Sequence, residues 1–312
     1  MRENNFLASK DAVIVAVDNG NGNTKTEHCV FKTGLDKYNS EPTVTKDFYK
    51  INGGYYVAGE NHMVYQANKT ENDDCFILTM IAVVKELEYR HIKSAKVVLA
   101  VGLPIAWCGT ESKDEFKNYM KKQPVVDVEY GEERHHIEVE DVLVYPQGFS
   151  AVFGRHDMNG FNMIVDIGDG TIDIMRIENG KPLESSLHTE KKGIGTCMKE
   201  IRQELSKIYK DDFPEQVIEP LLRFGCNNAN TKEAEITKRI ASGYASQIIK
   251  TLKSVGYNDS YMNLYIVGGG GCILKNFSNI TNNNNVYVIG DICANAKGYA
   301  FLAAKKLERS NK

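Results

Sequence analysis

Two short segments of this sequence repeat one arrangement of residue types. Residues 13–25 read VIVAVDNGNGNTK and residues 163–173 read MIVDIGDGTID, each an apolar run ending in Asp, then Gly-x-Gly, then Thr. Glycine lets backbone N–H groups approach an anion closely, and successive N–H groups form a concave nest for phosphate oxygens. The first turn offers Gly20, Asn21, Gly22, Asn23 and Thr24; the second offers Gly168, Asp169, Gly170 and Thr171. A carboxylate just before each turn, Asp18 or Asp166, repels phosphate unless a cation stands between them. Magnesium, bound through oxygen ligands and retained waters, resolves that conflict. Two such turns facing one another imply a metal-bridged di- or triphosphate, with Lys25 as a point charge on the same phosphates. One turn alone reads as hairpin chemistry; the pair, at equivalent places in the chain, does not. A third cluster, Gly268, Gly269, Gly270 and Gly271, ends an apolar strand and opens a helix pattern. Such a junction brings backbone and a helix N-terminus toward a flat or anionic ligand. It is neither a P-loop nor a dinucleotide-binding fingerprint, and by itself it reads equally as a structural turn.

The elements that must hold these residues follow from pattern. Each Asp-Gly unit reads as a β-hairpin, because an apolar run precedes the turn and a second run follows it. In the second, Ile172 and Ile174 share one face while Thr171, Asp173 and Met175 share the other. The two hairpins lie about half a chain apart, so the halves read as duplicated versions of one architecture. Helices are expected over 72–93, 112–122, 148–155, 196–210 and 232–255, and strands over 96–101, 138–144, 264–267 and 286–289. The polar, Tyr-rich segment 36–59 reads as a small strand-like subdomain inserted in the first half, and Asn282–Asn285 as an exposed loop. The whole is a mixed α/β protein.

Composition narrows the function. At 312 residues the chain suggests about two domains. A net charge of −3 lacks the basic surplus of a dedicated nucleic-acid binder. No apolar run approaches the roughly 20 residues of a membrane helix. The start, Met1 to Ala12, carries Arg2, Glu3, Lys10 and Asp11 and does not read as a signal peptide. The seven cysteines are scattered, without Cys-x-x-Cys spacing, as expected of reduced core thiols in a cytosolic protein. His135-His136, in the polar run 130–141, reads as a solvated strand or turn, not a metal site.

The ordered set of motifs resembles the actin-like ATPase superfamily of sugar kinases, heat-shock chaperones and bacterial actins. Asp18-Asn-Gly-Asn-Gly-Asn-Thr-Lys25 resembles its first phosphate loop, Asp166-Ile-Gly-Asp-Gly-Thr171 the second, and Ile266-Val-Gly-Gly-Gly-Gly271 its adenosine motif. The segments beginning near Pro146-Gln-Gly-Phe-Ser-Ala151 and Ala294-Asn-Ala-Lys-Gly-Tyr-Ala300 resemble its two interdomain connecting helices. The resemblance implies two duplicated actin-like (ribonuclease-H-like) domains with a nucleotide cleft between them: domain I over 1–150 plus 292–312, with an insertion at about 36–60, and domain II over 151–291. A heat-shock chaperone would carry a further peptide-binding domain. The compact length and the Asp-x-Gly-x-x-Asn-x-Lys loop look most like plasmid-segregation actins of the ParM/StbA type.

That resemblance implies the following roles. Asp18 holds magnesium through water, and Asp166 orients metal or the attacking water. The residues from Gly20 to Thr24 and from Gly168 to Thr171 clasp the phosphates of ATP or GTP, with Lys25 neutralising charge. Gln147, opening the first connecting helix, sits where the family places its water-positioning residue. Gly193 and Gly195 either touch the nucleotide or merely cap a helix, and ribose and base contacts fall within 233–239. The implied partners are further copies of the chain in a filament and a plasmid-encoded DNA-binding adaptor, with no direct nucleic-acid or membrane contact and a cytoplasmic location. Two other readings stand beside this one. A sugar or acid kinase would need an acceptor pocket and an Asp base, for which Asp73, Asp74 and Asp141 are the candidates. A membrane-linked scaffold would need a basic amphipathic terminal helix, and residues 296–312 read better as a core-packing helix with a solvated end.

Overall fold

The computed structural model describes residues 12–310, apart from 44, 60–68, 109–110, 155 and 227–229. The expectations for the first eleven residues, for residue 60 as the limit of the insertion, for Arg155 as a helix end and for residues 311–312 lie outside the described residues. The chain divides into two compact units, Met1–Ala151 with Cys293–Lys312, and Val152–Ile292.

The first unit contains β1 (Ala12–Asn19), β2 (Asn23–Lys25), β3 (Val30–Lys32), β4 (Leu35–Tyr38), β5 (Tyr49–Ile51), β6 (Gly54–Ala58), α1 (Asp74–Tyr89), β7 (Ser94–Leu103), α2 (Glu111–Lys121), β8 (Val125–Tyr130), β9 (Glu133–Pro146) and α3 (Phe149–Val152), together with the C-terminal helix Ala294–Ser310. Its strands form one nine-stranded sheet in the order β3-β2-β1-β7-β9-β8-β5-β6-β4. Strand β1 shows how the sequence builds this sheet. Successive side chains point to opposite faces. Val15 and Val17 therefore pack into the cluster containing Phe76, Met80 and Val83 of α1, while Ala12, Ile14 and Ala16 pack into the cluster of Ala296, Tyr299, Ala300 and Ala303 from the C-terminal helix. A strand apolar on both faces is what a sheet covered by helices on both sides requires. The segment 36–59 is not a separate body: β5 pairs with β8, so β4, β5 and β6 extend the same sheet.

The second unit contains β10 (Phe161–Ile167), β11 (Ile172–Glu178), β12 (Lys181–Pro182), β13 (His188–Glu190), α4 (Ile194–Tyr209), α5 (Glu215–Phe224), α6 (Lys232–Ser254), β14 (Asn263–Val267), α7 (Gly271–Phe277) and β15 (Val286–Val288). The sheet order is β12-β11-β10-β14-β15, with β13 also on β11. Met163, Val165 and Ile167 of β10 join Ile201, Leu205, Ala241 and Ile248 of the helices in one core. Met175, expected on the polar face of β11, is buried, so both faces of that strand are covered.

Two further expectations need correction, and one helix was not anticipated. His135 is not solvated: β9 alternates, and His135 turns inward with Ile137 and Val139 while His136 stays exposed. The helix expected over 148–155 is the single turn α3. Helix α5 had no counterpart in the sequence reading, because Pro220 inside it and Pro214 before it are breaker signals. Ile218 and Leu222, one turn apart, bury the face that holds this helix in place.

Candidate phosphate-binding loops

In the first unit the chemistry centres on Asp18, near the end of β1. The β1–β2 hairpin pairs Asp18 with Lys25 and Asn19 with Thr24, and the turn between them is closed by the Gly20 N–H donating to the Asn23 carbonyl at 3.1 Å. Lys25 Nζ lies 2.9 Å from Asp18 Oδ2, and Gln147 Nε2 donates to Asp18 Oδ1 at 3.0 Å. Asp18 is 2% exposed. Burial opposes its ionisation, but Lys25, the more distant Lys69 and the Gln147 hydrogen bond together hold its carboxyl below the ordinary range. The carboxylate is thus kept charged inside the fold.

The loop itself is fastened from outside the motif. Thr33 Oγ1 donates to the Gly20 carbonyl at 2.8 Å and shares a 3.2 Å contact with Thr24 Oγ1, while its N–H reaches the Gly22 carbonyl at 3.1 Å. Asn19 Nδ2 donates to Thr79 Oγ1 of α1 at 2.6 Å. Lys69 donates to the Asn19 carbonyl at 2.7 Å, and desolvation pushes its ammonium pKa down against the pull of Asp18. The sequence reading missed Lys69 and Thr33, since neither belongs to a recognisable spacing and only folding brings them to the loop.

Gln147 reaches Asp18 from a different place than expected. Pro146 is the last residue of β9, paired with Leu103, and the Gln147 N–H donates to the Leu103 carbonyl at 2.8 Å. Proline lacks a donor but keeps its carbonyl, so the ladder runs on through Gln147 N–H. The residue therefore lies in the turn between β9 and α3, not on a helix.

In the second unit Asp166 sits between Asp173 of β11 and Val267 of β14. The Gly168 N–H closes the turn onto the Thr171 carbonyl at 2.9 Å, and Thr171 Oγ1 donates to Asp173 at 3.0 Å. The start of α4 is strapped onto this turn by three backbone bonds: Gly193 N–H to Gly170 O at 3.2 Å, Ile194 N–H to Gly168 O at 2.9 Å and Gly195 N–H to Asp169 O at 3.0 Å. A Cβ at Gly193 would overlap the Asp169 carbonyl, so the approach depends on glycine there. Gly268, at φ +86°, sits where a Cβ would come within 2.5 Å of both Asp166 Oδ1 and the Ile167 carbonyl. Gly270 packs on the Ile167 side chain and Gly271 is buried at the start of α7, whereas a Cβ at Gly269 meets open space. The cluster is thus packing on one side and open backbone on the other. The structure brings Asp18, residues 20–25 and Gln147 together in the first unit. It brings Asp166, residues 168–171, Gly193, Gly195 and residues 268–271 together in the second.

Two family models match the chain in succession: that of the N-terminal domain of actin-like proteins over residues 16–149, and that of the C-terminal domain of the archaeal, MreB-like actin homologue over residues 164–278. Each contains one set of loops. The chain belongs to the actin-like ATPase superfamily, with a fold of the ParM type. Among similar solved structures, the apo pSK41 ParM protein has TM-score 0.73 at 16% identity, covering 97% of this chain and 100% of that one. An archaeal actin homologue in complex with ADP has TM-score 0.76 at 18% identity, covering 94% and 99%. A 15-stranded ParM filament from Clostridium botulinum has TM-score 0.74 at 15% identity, covering 95% and 100%. No curated protein sequence matches the chain.

Proposed function

We propose that this protein is a filament-forming ATPase that binds Mg–ATP, or Mg–GTP, through the phosphate loops of its two units, polymerises in that state, and hydrolyses the nucleotide to trigger disassembly. The observation that carries the reading is the buried, ionised Asp18 held between Lys25 and Gln147 beside a tight glycine turn. The ADP complex of the archaeal homologue and the filament of the Clostridium protein support it by analogy of fold.

The residues present fit a magnesium nucleotide. Asp18 offers the carboxylate oxygens a hard cation takes, through retained waters. Gly20 leaves room for close approach, since a Cβ there would sit 2.9 Å from both Asn23 O and Lys25 Nζ. The metal, when bound, neutralises charge on the phosphates. Lys25 adds a second positive charge, the loop N–H groups orient the γ-phosphoryl group, and the Gln147 amide orients water for in-line attack. That amide is too weakly basic to take the proton, so the contribution is positioning. Asp166 acts similarly from the second unit. The cellular role that fits is plasmid DNA segregation in the cytoplasm, with a DNA-binding adaptor supplying the contact to DNA that a net charge of −3 does not favour. Among the described residues no helix is long and apolar enough to cross a membrane.

A second reading, a small-molecule kinase, is favoured by one observation. A cavity of about 230 Å³ in the first unit is lined by Lys69, Leu103, Trp107, Ser112, Glu115 and Phe116. Against it, Asp141 is bridged to Lys117 and Lys121, and Asp73 is paired with Lys122, so neither is poised as a base. Light scattering after addition of Mg–ATP separates the two. The filament reading expects a rise and then decay as phosphate appears. Nucleotide turnover only when a sugar or acid is supplied, with no rise, would replace it by the kinase.

A further inference from the structure

His135 is a buried polar side chain that the nucleotide loops do not use. It is 1% exposed, and neither ring nitrogen has a hydrogen-bond partner among the described residues. Buried polar atoms are rarely left so. Its Nε2 lies 3.5 Å from a carboxylate oxygen, Glu88 Oε1, in the last turn of α1. Glu133, two residues before His135 on β9, projects from the same side of the strand. One ligand atom from each of Glu88, Glu133 and His135 lies within 4.8 Å of the others.

We propose that these three residues form a binding site for a borderline transition-metal dication, with zinc as the best fit. Imidazole together with carboxylates suits zinc and its neighbours, whereas magnesium and calcium prefer oxygen donors alone. Tetrahedral bonds of about 2.0–2.1 Å place neighbouring ligand atoms about 3.3 Å apart, so the His135–Glu88 separation of 3.5 Å is already near the required edge. Glu133 has further to move. Its present partner is Lys93 at 2.9 Å, in a pair whose side chains are 70% and 47% exposed. A solvent-screened pair of this kind is weak, and the exposed Glu133 side chain is free to turn inward. Two carboxylates and a neutral imidazole neutralise a dication, and water takes the fourth position. With metal on Nε2 the ring proton sits on Nδ1. The bound ion would tie the last turn of α1 to the start of β9.

The test uses the full chain, stripped with chelator and free of nucleotide, titrated calorimetrically with zinc and followed by thermal melting. The expected result is a single equivalent bound, a raised Tm, and no displacement by excess magnesium. Cobalt in place of zinc should give a visible spectrum without the thiolate charge-transfer band that any of the seven cysteines would produce. Glu88→Gln and Glu133→Gln, both at the solvent rim, should each weaken binding at least about tenfold, with circular dichroism unchanged. His135→Gln should abolish it. If His135→Gln does not fold, the two rim variants decide alone. No zinc bound by the wild type, a thiolate band, or equal affinity in Glu88→Gln/Glu133→Gln would each overturn the site.

Discussion

At the scale of single residues the first loop turns on how Asp18 stays charged. Desolvation works against its charge, and Lys25, Lys69 and the amide of Gln147 outweigh it and hold the carboxyl below its ordinary range. Gln147 is the member with two possible roles, holding Asp18 and orienting water. Gln147→Ala should leave nucleotide affinity nearly unchanged and slow phosphate release by about 10²-fold, as loss of one positioning group does. Normal release would confine Gln147 to fastening the turn after β9. This residue also shows what the sequence made legible. The resemblance of its segment to a connecting helix of the superfamily marked it as a candidate. Its location was not legible, because a proline pattern does not reveal that the next N–H continues the β9 ladder. His135 was illegible for a related reason: a polar run conceals an inward-facing position until pairing with β8 fixes the alternation.

At the scale of elements, helix α1 is joined to the first hairpin by a buried ionic network. Glu86 accepts from Thr26 Oγ1 at 2.5 Å and from Arg90 Nε at 2.7 Å, and His28 Nδ1 lies 2.6 Å away. Burial opposes the charge on Glu86, but the Thr26 hydrogen bond, Arg90 and His28 outweigh it and hold the carboxyl below its ordinary 4.5. A depressed carboxyl adds stability above its unfolded pKa and loses it as the pH falls through the folded one. The urea midpoint of the wild type should therefore drop from near pH 4.5 downward, and that of Glu86→Gln should be lower at neutral pH and flatter over the same range. Parallel profiles would show that Glu86 is not the group responsible. The C-terminal helix depends on a different device. A Cβ at Gly298 would overlap the Ser150 carbonyl, so Gly298→Ala should destabilise by about 1–3 kcal/mol through overpacking; an unchanged melting curve would mean that α3 yields without cost. Long elements with a clear period, such as α6, were legible from the sequence. Helix α5 was not, since its local signals argue against a helix and only burial of Ile218 and Leu222 favours one.

At the scale of the whole molecule, the duplicated Asp-Gly hairpins made the two-part architecture legible, because each half carries its own strand, glycine turn and strand. The join between the strap at Gly193 and the second loop was not legible, since it consists of backbone bonds between residues distant in sequence. If the nucleotide state governs polymerisation, then a change confined to hydrolysis should alter how long filaments last and not whether they form. Asp166 is the residue on which to ask this. It lies one residue before the end of β10, paired with Asp173 on one side and Val267 on the other, so Asp166→Ala shortens a side chain without breaking either ladder. A head-to-tail contact propagates as a filament for as long as each copy keeps the binding-competent form. Asp166→Ala should bind ATP, raise light scattering to the wild-type level, and release phosphate about 10²-fold more slowly, with scattering persisting in proportion. The informative record follows scattering and phosphate in the same cuvette. Filaments that dissolve on the wild-type schedule while phosphate is delayed would uncouple disassembly from hydrolysis. Failure to assemble with ATP bound would place Asp166 in the assembly-competent conformation itself, not in the chemistry that ends it.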